Sequence, residues 1–264
     1  MRRNYDKSNF FDVDGTLLSH KQKNVPASTR NVLDLLKENG IKCVLATGRH
    51  MTELAMLPVN DISFDAYITL NGQLCLTEDG EILSANPISG SDKEYILQLF
   101  HDKSVPVMLV EKDTMYINFV NDAVKTAQQE ISTPIPDVRT YNGGEIYQAI
   151  VYIGKENETM IRNNLTDCKI IRWNPRAIDI ISQTGGKTTG IKAYLKTMEI
   201  SAEETMAFGD AGNDIDMLEF VHIGVAMGNA TDEVKAHADF VTASVDEDGI
   251  EKALFLIDVK GGVP

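Results

Sequence analysis

The chain has 264 residues with 39 acidic against 25 basic side chains, a formal net charge of −14, so a surface built to neutralise a nucleic-acid backbone or to dock on anionic lipid is excluded. That length suits one large domain or a core carrying an inserted second one, and no apolar run reaches membrane-spanning length. Cys43, Cys75 and Cys168 are far apart and form no CxxC pair; neither a disulfide framework nor a zinc site is expected, and a reducing cytoplasm and a small-molecule partner fit best.

At the start, Met1, Arg2 and Arg3 lead into Asn4, Tyr5, Asp6 and Lys7 rather than an apolar stretch, so no signal peptide is expected. Residues 9–12 read as a buried strand that ends in carboxylates. From about Pro26 the spacing of Val32, Leu35 and Leu36 predicts one helical face, with Gly40 as its stop. Residues 41–46 form a second predicted strand, closing on Thr47, Gly48 and Arg49, and residues 66–70 a third, closing on Asn71 and Gly72. Short apolar runs alternating with helical spacing predict a parallel sheet of βαβ units. In such open sheets ligands bind beyond the carboxyl ends of the strands, where these polar residues gather.

From about Ser84 the texture changes. Strand-like runs at 105–110, 115–119, 147–153 and 177–181 alternate with helical stretches near 93–103 and 156–165, the mark of a small mixed α+β domain. Past Gly185 and Gly186 the βα rhythm resumes, with a helix from about Thr188, strands at 205–208 and 223–226, and a last helix near the C-terminus. The expected organisation is a doubly wound, Rossmann-like α/β core of residues 1–83 and 184–264, split by an α+β insertion of residues 84–183. The sequence has no internal repeat or low-complexity tract.

Four constellations carry chemistry. In Phe10-Phe11-Asp12-Val13-Asp14-Gly15-Thr16 the two carboxylates are two residues apart where a strand runs into a turn, and i and i+2 of a strand point the same way. One can face a phosphorus atom while the other reaches the leaving oxygen, and magnesium would screen their repulsion from an anionic phosphate. In Thr47-Gly48 a hydroxyl and a backbone amide can cradle phosphoryl oxygens. Lys187, at a predicted helix start, can neutralise developing charge and hold the carboxylate of a nucleophile. Finally, Gly209-Asp210-Ala211-Gly212-Asn213-Asp214 places Asp210 at a strand end as a natural magnesium ligand; without the glycine and closing glutamate of an EF-hand loop, calcium is not expected.

Together and in this order, these four motifs resemble the haloacid dehalogenase superfamily, in particular its Cof-type sugar-phosphatase branch (subfamily IIB), over essentially the whole chain. Only about one helix fits between Asp14 and Thr47, whereas some 140 residues separate Thr47 from Lys187, which matches the family's larger α/β (C2-type) cap in the second gap. The resemblance implies a magnesium-dependent phosphatase with Asp12 as nucleophile and Asp14 as acid/base. It also implies a metal held by the Asp12 carboxylate, the Asp14 carbonyl and Asp210, with Asp214 in support. Thr47, Gly48, Lys187 and Asn213 would bind the phosphoryl group, and the substrate would be a small phosphorylated metabolite, sugar phosphates first. Many relatives follow the lysine with Gly where this chain has Thr188.

Two rival functions share these residue types. A phosphomutase of the same superfamily would return the phosphoryl group to substrate, and a phospho-accepting receiver module would keep it, although receivers are about half this length and lack the DxDGT turn. His101, His222 and His237 lack metal-ligand spacing and are expected to be structural. Trp173, with Arg172, Asn174 and Arg176, is either a specificity patch of the insertion or packing. No feature of the sequence specifies an oligomeric state.

Overall fold

The computed structural model describes residues 7–131 and 133–260; the stretch 1–6, in which no signal peptide is expected, lies outside them. The chain forms two compact units, one of Met1–Arg49, Leu54–Ser84 and Gly186–Pro264, the other of His50–Glu53 and Ala85–Gly185. The sequence reading placed 50–53 with the first unit. Within the second, the His50 Nε2 contacts the carbonyls of Glu111 and Lys112 at 3.0 and 2.9 Å, which explains its grouping there.

The first unit opens with β1 (Ser8–Phe11), all four of whose residues are buried, as a central parallel strand requires. Then come α1 (Ala27–Glu38), β2 (Lys42–Ala46), β3 (Ala66–Thr69), β4 (Leu74–Thr77) and β5 (Ile82–Ala85); the short α2 (Met51–Leu54), between β2 and β3 in the chain, belongs to the second unit except for Leu54. Helix α1 buries Thr29, Val32, Leu33 and Leu36, the i, i+3, i+4, i+7 stripe of a core-facing helix. Leu35, expected on that stripe, is turned out by one 100° step and is 48% exposed. The strands β4 and β5 were not anticipated: the chain doubles back after Asn71 (φ 53°) and Gly72 (φ 80°), so β4 runs antiparallel to β3.

In the second unit α3 (Gly90–Asp102), β6 (Val107–Val110), β7 (Met115–Ile117), α4 (Asp122–Glu130), β8 (Gln148–Val151), α5 (Glu158–Arg162), β9 (Cys168–Asn174) and β10 (Ala177–Ser182) follow. The sheet runs 7-6-8-10-9 and is antiparallel throughout. Alternate residues of its strands, such as Leu109, Val151, Ile178 and Ile180, pack on Ile96 and Phe100 of α3. Strand β9 escaped the sequence reading because its charged residues break the alternation; as an edge strand it is only half buried.

The first unit then resumes with α6 (Lys187–Met198), β11 (Thr205–Gly209), α7 (Ile215–Phe220), β12 (Ile223–Ala226), α8 (Asp232–Ala236), β13 (Phe240–Val241) and α9 (Gly249–Lys260). Its sheet has the order 13-12-11-1-2-3-4-5 and is parallel from β13 to β3. From β1 the chain winds outward through β2 and β3, then returns to β11 on the other flank of β1. That reversal makes the boundary between β1 and β11 a topological switch point, where open α/β sheets hold their ligands. Phe11 and Phe208 stack across it with ring centroids 5.1 Å apart, fixing the two strand ends side by side. Among the described residues no helix is long and apolar enough to cross a membrane.

Candidate active site

Each sequence-flagged polar residue of the first unit lies at or just beyond the carboxyl end of a strand or at a helix start. Asp12 follows Phe11 directly, and its backbone N–H donates to the Phe208 carbonyl at 3.0 Å, extending the ladder by one residue. Asp210 stands two residues past Phe208 on the neighbouring strand. One oxygen of Asp12, one of Asp210 and one of Asp214 lie within 4.8 Å of one another. Lys187, completely buried, bridges the group: its Nζ donates to Oδ1 of Asp12 and to Oδ1 of Asp214, each at 2.5 Å. The second oxygen of Asp214 accepts the backbone N–H groups of Asp210 and Ala211 at 2.9 and 2.8 Å. Asp214 therefore joins the base of the site to the turn that carries Asp210.

The turn after Asp12 depends on glycine. Gly15 has φ +85°, and a Cβ on it would come within 2.2 Å of Oδ2 of Asp210. Any other residue would be strained and would push the carboxylate away. Thr16 Oγ1 donates to Asp210 Oδ1 at 2.9 Å, and Asn229 Nδ2 donates to the Gly15 carbonyl at 2.9 Å and to Asp210 Oδ2 at 3.2 Å. Asp210 is thus held from both sides. Neither Thr16 nor Asn229 was singled out from the sequence. Thr16 belongs to the first motif, but Asn229 lies in a turn nineteen residues past Asp210 and gives no local signal.

Asp14 is in a different state. Arg49 grips it through Nε to Oδ2 at 2.6 Å and Nη2 to Oδ1 at 2.9 Å, a two-pronged ion pair of the strong, geometrically specific kind. The Thr47 hydroxyl accepts the Arg49 backbone N–H at 3.2 Å, which closes the turn after β2. Gly48 passes close to Asn71, whose amide would lie 3.1 Å from a Cβ there. Asn71 Oδ1 in turn accepts from Asn213 Nδ2 at 3.0 Å. Sequence reading named Arg49 and Asn71 as strand-end residues only; their pairing needs tertiary contacts spanning 35 and 142 positions. Asp12, Asp14, Thr47, Gly48, Lys187, Asp210, Asn213 and Asp214 are all in the first unit. Lys187 bonds into the Asp12–Asp210–Asp214 cluster, whereas Asp14 is held by Arg49, the Thr47 hydroxyl accepts from the Arg49 backbone and Asn213 bonds to Asn71.

The electrostatics are those of three carboxylates sharing one ammonium. Burial raises the pKa of Asp12, Lys187 opposes that, and the neighbouring carboxylates add to the rise. Burial and Asp214 push Asp210 up to about 7, with Thr16 pulling the other way. For Lys187 burial favours the neutral amine, but Asp12 and Asp214 outweigh it and hold the ammonium. The donor set is all oxygen and carries more negative charge than one lysine neutralises, which suits a hard divalent cation such as magnesium.

In the second unit the suspected specificity patch is otherwise engaged. Arg172 donates to Glu158 at 2.8 Å and to three backbone carbonyls. Asn174 and Arg176 both bind Glu130, at 2.7 and 3.3 Å. These three residues brace the end of the β9–β10 hairpin. His222 and His237 pair with Glu203 and Glu219, and the His101 ring packs edge-on against Phe100.

A family model described as haloacid dehalogenase-like hydrolase matches residues 9–254. The presumed phosphatase YkrA of Bacillus subtilis (strain 168) is 32% identical over 249 residues, covering 93% of this chain and 95% of that protein. From the same organism, the 5-amino-6-(5-phospho-D-ribitylamino)uracil phosphatase YitU is 26% identical over 257 residues, 92% of this chain and 94% of that one. The solved structure of BT4131, a sugar phosphatase of HAD subclass IIB, is similar with a TM-score of 0.85 and 34% identity, covering 96% of this chain and 99% of that chain.

Proposed function

Because the chain belongs to the haloacid dehalogenase-like hydrolase family, we propose that it is a magnesium-dependent phosphatase that hydrolyses small phosphorylated metabolites, sugar phosphates first, through an aspartyl-phosphate. The observation that carries this reading is the buried Lys187 bridging Asp12 and Asp214 beside Asp210. Relatives named as phosphatases, one of them a sugar phosphatase, support the same reaction class. In this reading residues 1–83 and 184–264 are the catalytic core and residues 84–183 the cap.

An oxygen of Asp12 attacks phosphorus as the bond from phosphorus to the ester oxygen breaks. Lys187 fixes Oδ1 of Asp12 and so orients the carboxylate for that attack. Asp14 gives a proton to the departing oxygen; it then takes one from water, which attacks phosphorus and breaks the bond to Asp12. Free alcohol and phosphate leave, and both carboxylates regain their starting states. Thr47 and the Gly48 amide bind phosphoryl oxygens, with Lys187 and Asn213 completing the cradle. The Asp12 carboxylate, the Asp14 carbonyl and Asp210 would hold the magnesium, which supplies charge neutralisation for the anionic phosphoryl group. For Asp14 to work as acid and base, one prong of its Arg49 pair has to let go during turnover.

Phosphate release from a panel of phosphorylated metabolites and an aryl phosphate, with magnesium and with a chelator, tests the assignment. Release is expected with magnesium only, and Asp12→Asn should lower it by on the order of 10³-fold or more while the circular dichroism spectrum stays unchanged. Wild-type-like turnover by Asp12→Asn would remove the nucleophile assignment. Isomerised sugar phosphate in place of free phosphate would identify a mutase.

A further inference from the structure

Asn229 lies in the turn after β12, and that turn has little freedom. The Gly228 N–H donates to the Ala243 carbonyl and the Thr242 N–H to the Ala226 carbonyl, each at 3.0 Å, so the turn is stitched to the backbone that follows β13. A Cβ on Gly228 would fall 2.6 Å from the Ser244 nitrogen; only glycine lets the two backbones approach this closely. Backbone contacts therefore place the next residue, Asn229, before its side chain makes any bond.

Three partners then fix the amide. Its Oδ1 accepts the Val245 N–H at 3.0 Å, which turns Nδ2 and its two hydrogens toward the Gly15 carbonyl at 2.9 Å and Oδ2 of Asp210 at 3.2 Å. Both of those are acceptors, so the amide can sit only this way round. Gly15 belongs to the turn after β1 and Asp210 to the turn after β11. One side chain thus ties together the two strand-end turns that flank the switch point. A second tie runs beside it, from Ser19 Oγ to Asp246, the neighbour of Val245, at 2.5 Å. A neutral amide suits the task. It orients the Asp210 carboxylate without neutralising it, as a lysine there would, and so leaves the negative charge to attract a cation.

We propose that Asn229 is a positioning residue for a divalent cation at this site: by fixing the Asp210 carboxylate and the turn that carries Gly15, it sets the affinity for magnesium. This inference rests on the reading of the site as a magnesium centre and adds to it a support that reaches from Asp210 through Asn229 to Val245. Groups that orient metal ligands in this way are typically worth about 10–100-fold in metal affinity.

The test is calorimetric titration of the full-length protein with magnesium chloride, without substrate, for wild type, Asn229→Ala and Asn229→Leu. The Asn229 side chain is exposed, so both variants should keep the wild-type circular dichroism spectrum. Each should bind magnesium about tenfold more weakly or worse. A purely structural role would lower the melting temperature and leave the affinity of the folded protein unchanged. Hydrogen exchange gives a second reading: magnesium should slow exchange of the Val245 N–H in wild type and fail to do so in the variants. If neither variant folds, exchange in wild type decides. Unchanged affinity in the folded variants, or Val245 exchange indifferent to magnesium, would overturn the proposal and leave the phosphatase reading standing. Wild type that takes up no magnesium would overturn the proposal and the metal dependence together.

Discussion

Lys187 is the residue on which the site turns. A fully buried ammonium costs several kcal/mol to desolvate, and here two carboxylates at hydrogen-bond distance offset that cost. Asp179 shows the opposite arrangement, a buried carboxyl with an orphaned oxygen and a pKa pushed up to about 8. The sign of its effect on stability follows from linkage. Below the unfolded value near 4 both states hold the proton. Between there and about 8 only the folded state holds it, so stability falls as pH rises through that window. The melting temperature should therefore decline from pH 5 to pH 8 by more in the wild type than in Asp179→Asn, whose side chain does not ionise. Parallel melting curves against pH for the two proteins would show that Asp179 is not the titrating group.

At the scale of elements, α1 and the loop after β3 show what packing demands of particular positions. Leu33 on α1 is fully buried while Leu35, two residues on, is 48% exposed. Leu33→Ala should cost about 2–5 kcal/mol in urea unfolding, and Leu35→Ala less than about 0.5 kcal/mol. Equal losses would mean the helix packs in another register. Gly72 sits at φ +80°, where a Cβ would fall 1.9 Å from the carbonyl oxygen of Gly186, the residue that starts α6 just before Lys187. Both partners are backbone, so neither can swing aside. Gly72→Ala is expected to displace Lys187 and lower turnover by about a hundredfold. Gly80→Ala, with a similar φ of +81° and open space around it, should cost about 1 kcal/mol of stability and leave turnover intact. Matching kinetics in the two variants would refute the steric argument.

Among the described residues, one hydrophobic cluster gathers around Phe10, Ile68, Tyr194 and Met217 in the first unit and another around Phe100, Tyr116, Val151 and Ile180 in the second. Chains with separate cores commonly depart from two-state unfolding. Calorimetry should give a van't Hoff enthalpy below the calorimetric one. Saturating magnesium should raise only the transition of the unit that holds Asp12 and Asp210, by about 2.7 kcal/mol at a hundred times its dissociation constant. A single transition shifted as a whole would show that the two units melt together.

The sequence by itself determined the parallel α/β core, the insertion and its α+β character, because hydrophobic period and strand-end chemistry are local properties written in consecutive residues. It also supplied the candidate cluster, since Asp12, Lys187 and Asp210 each follow or open an element whose apolar pattern is readable. It misjudged Leu35 because α1 offers two leucine stripes a single step apart, and only the neighbouring strand selects between them. Strands β4, β5 and β9 stayed hidden because an antiparallel return and an edge strand need no continuous apolar run. Tertiary structure alone decided the rest. The Arg49 grip on Asp14 and the Asn229 hold on Asp210 join residues that are distant in sequence. Such pairings depend on chain reversal and register, which no local pattern records.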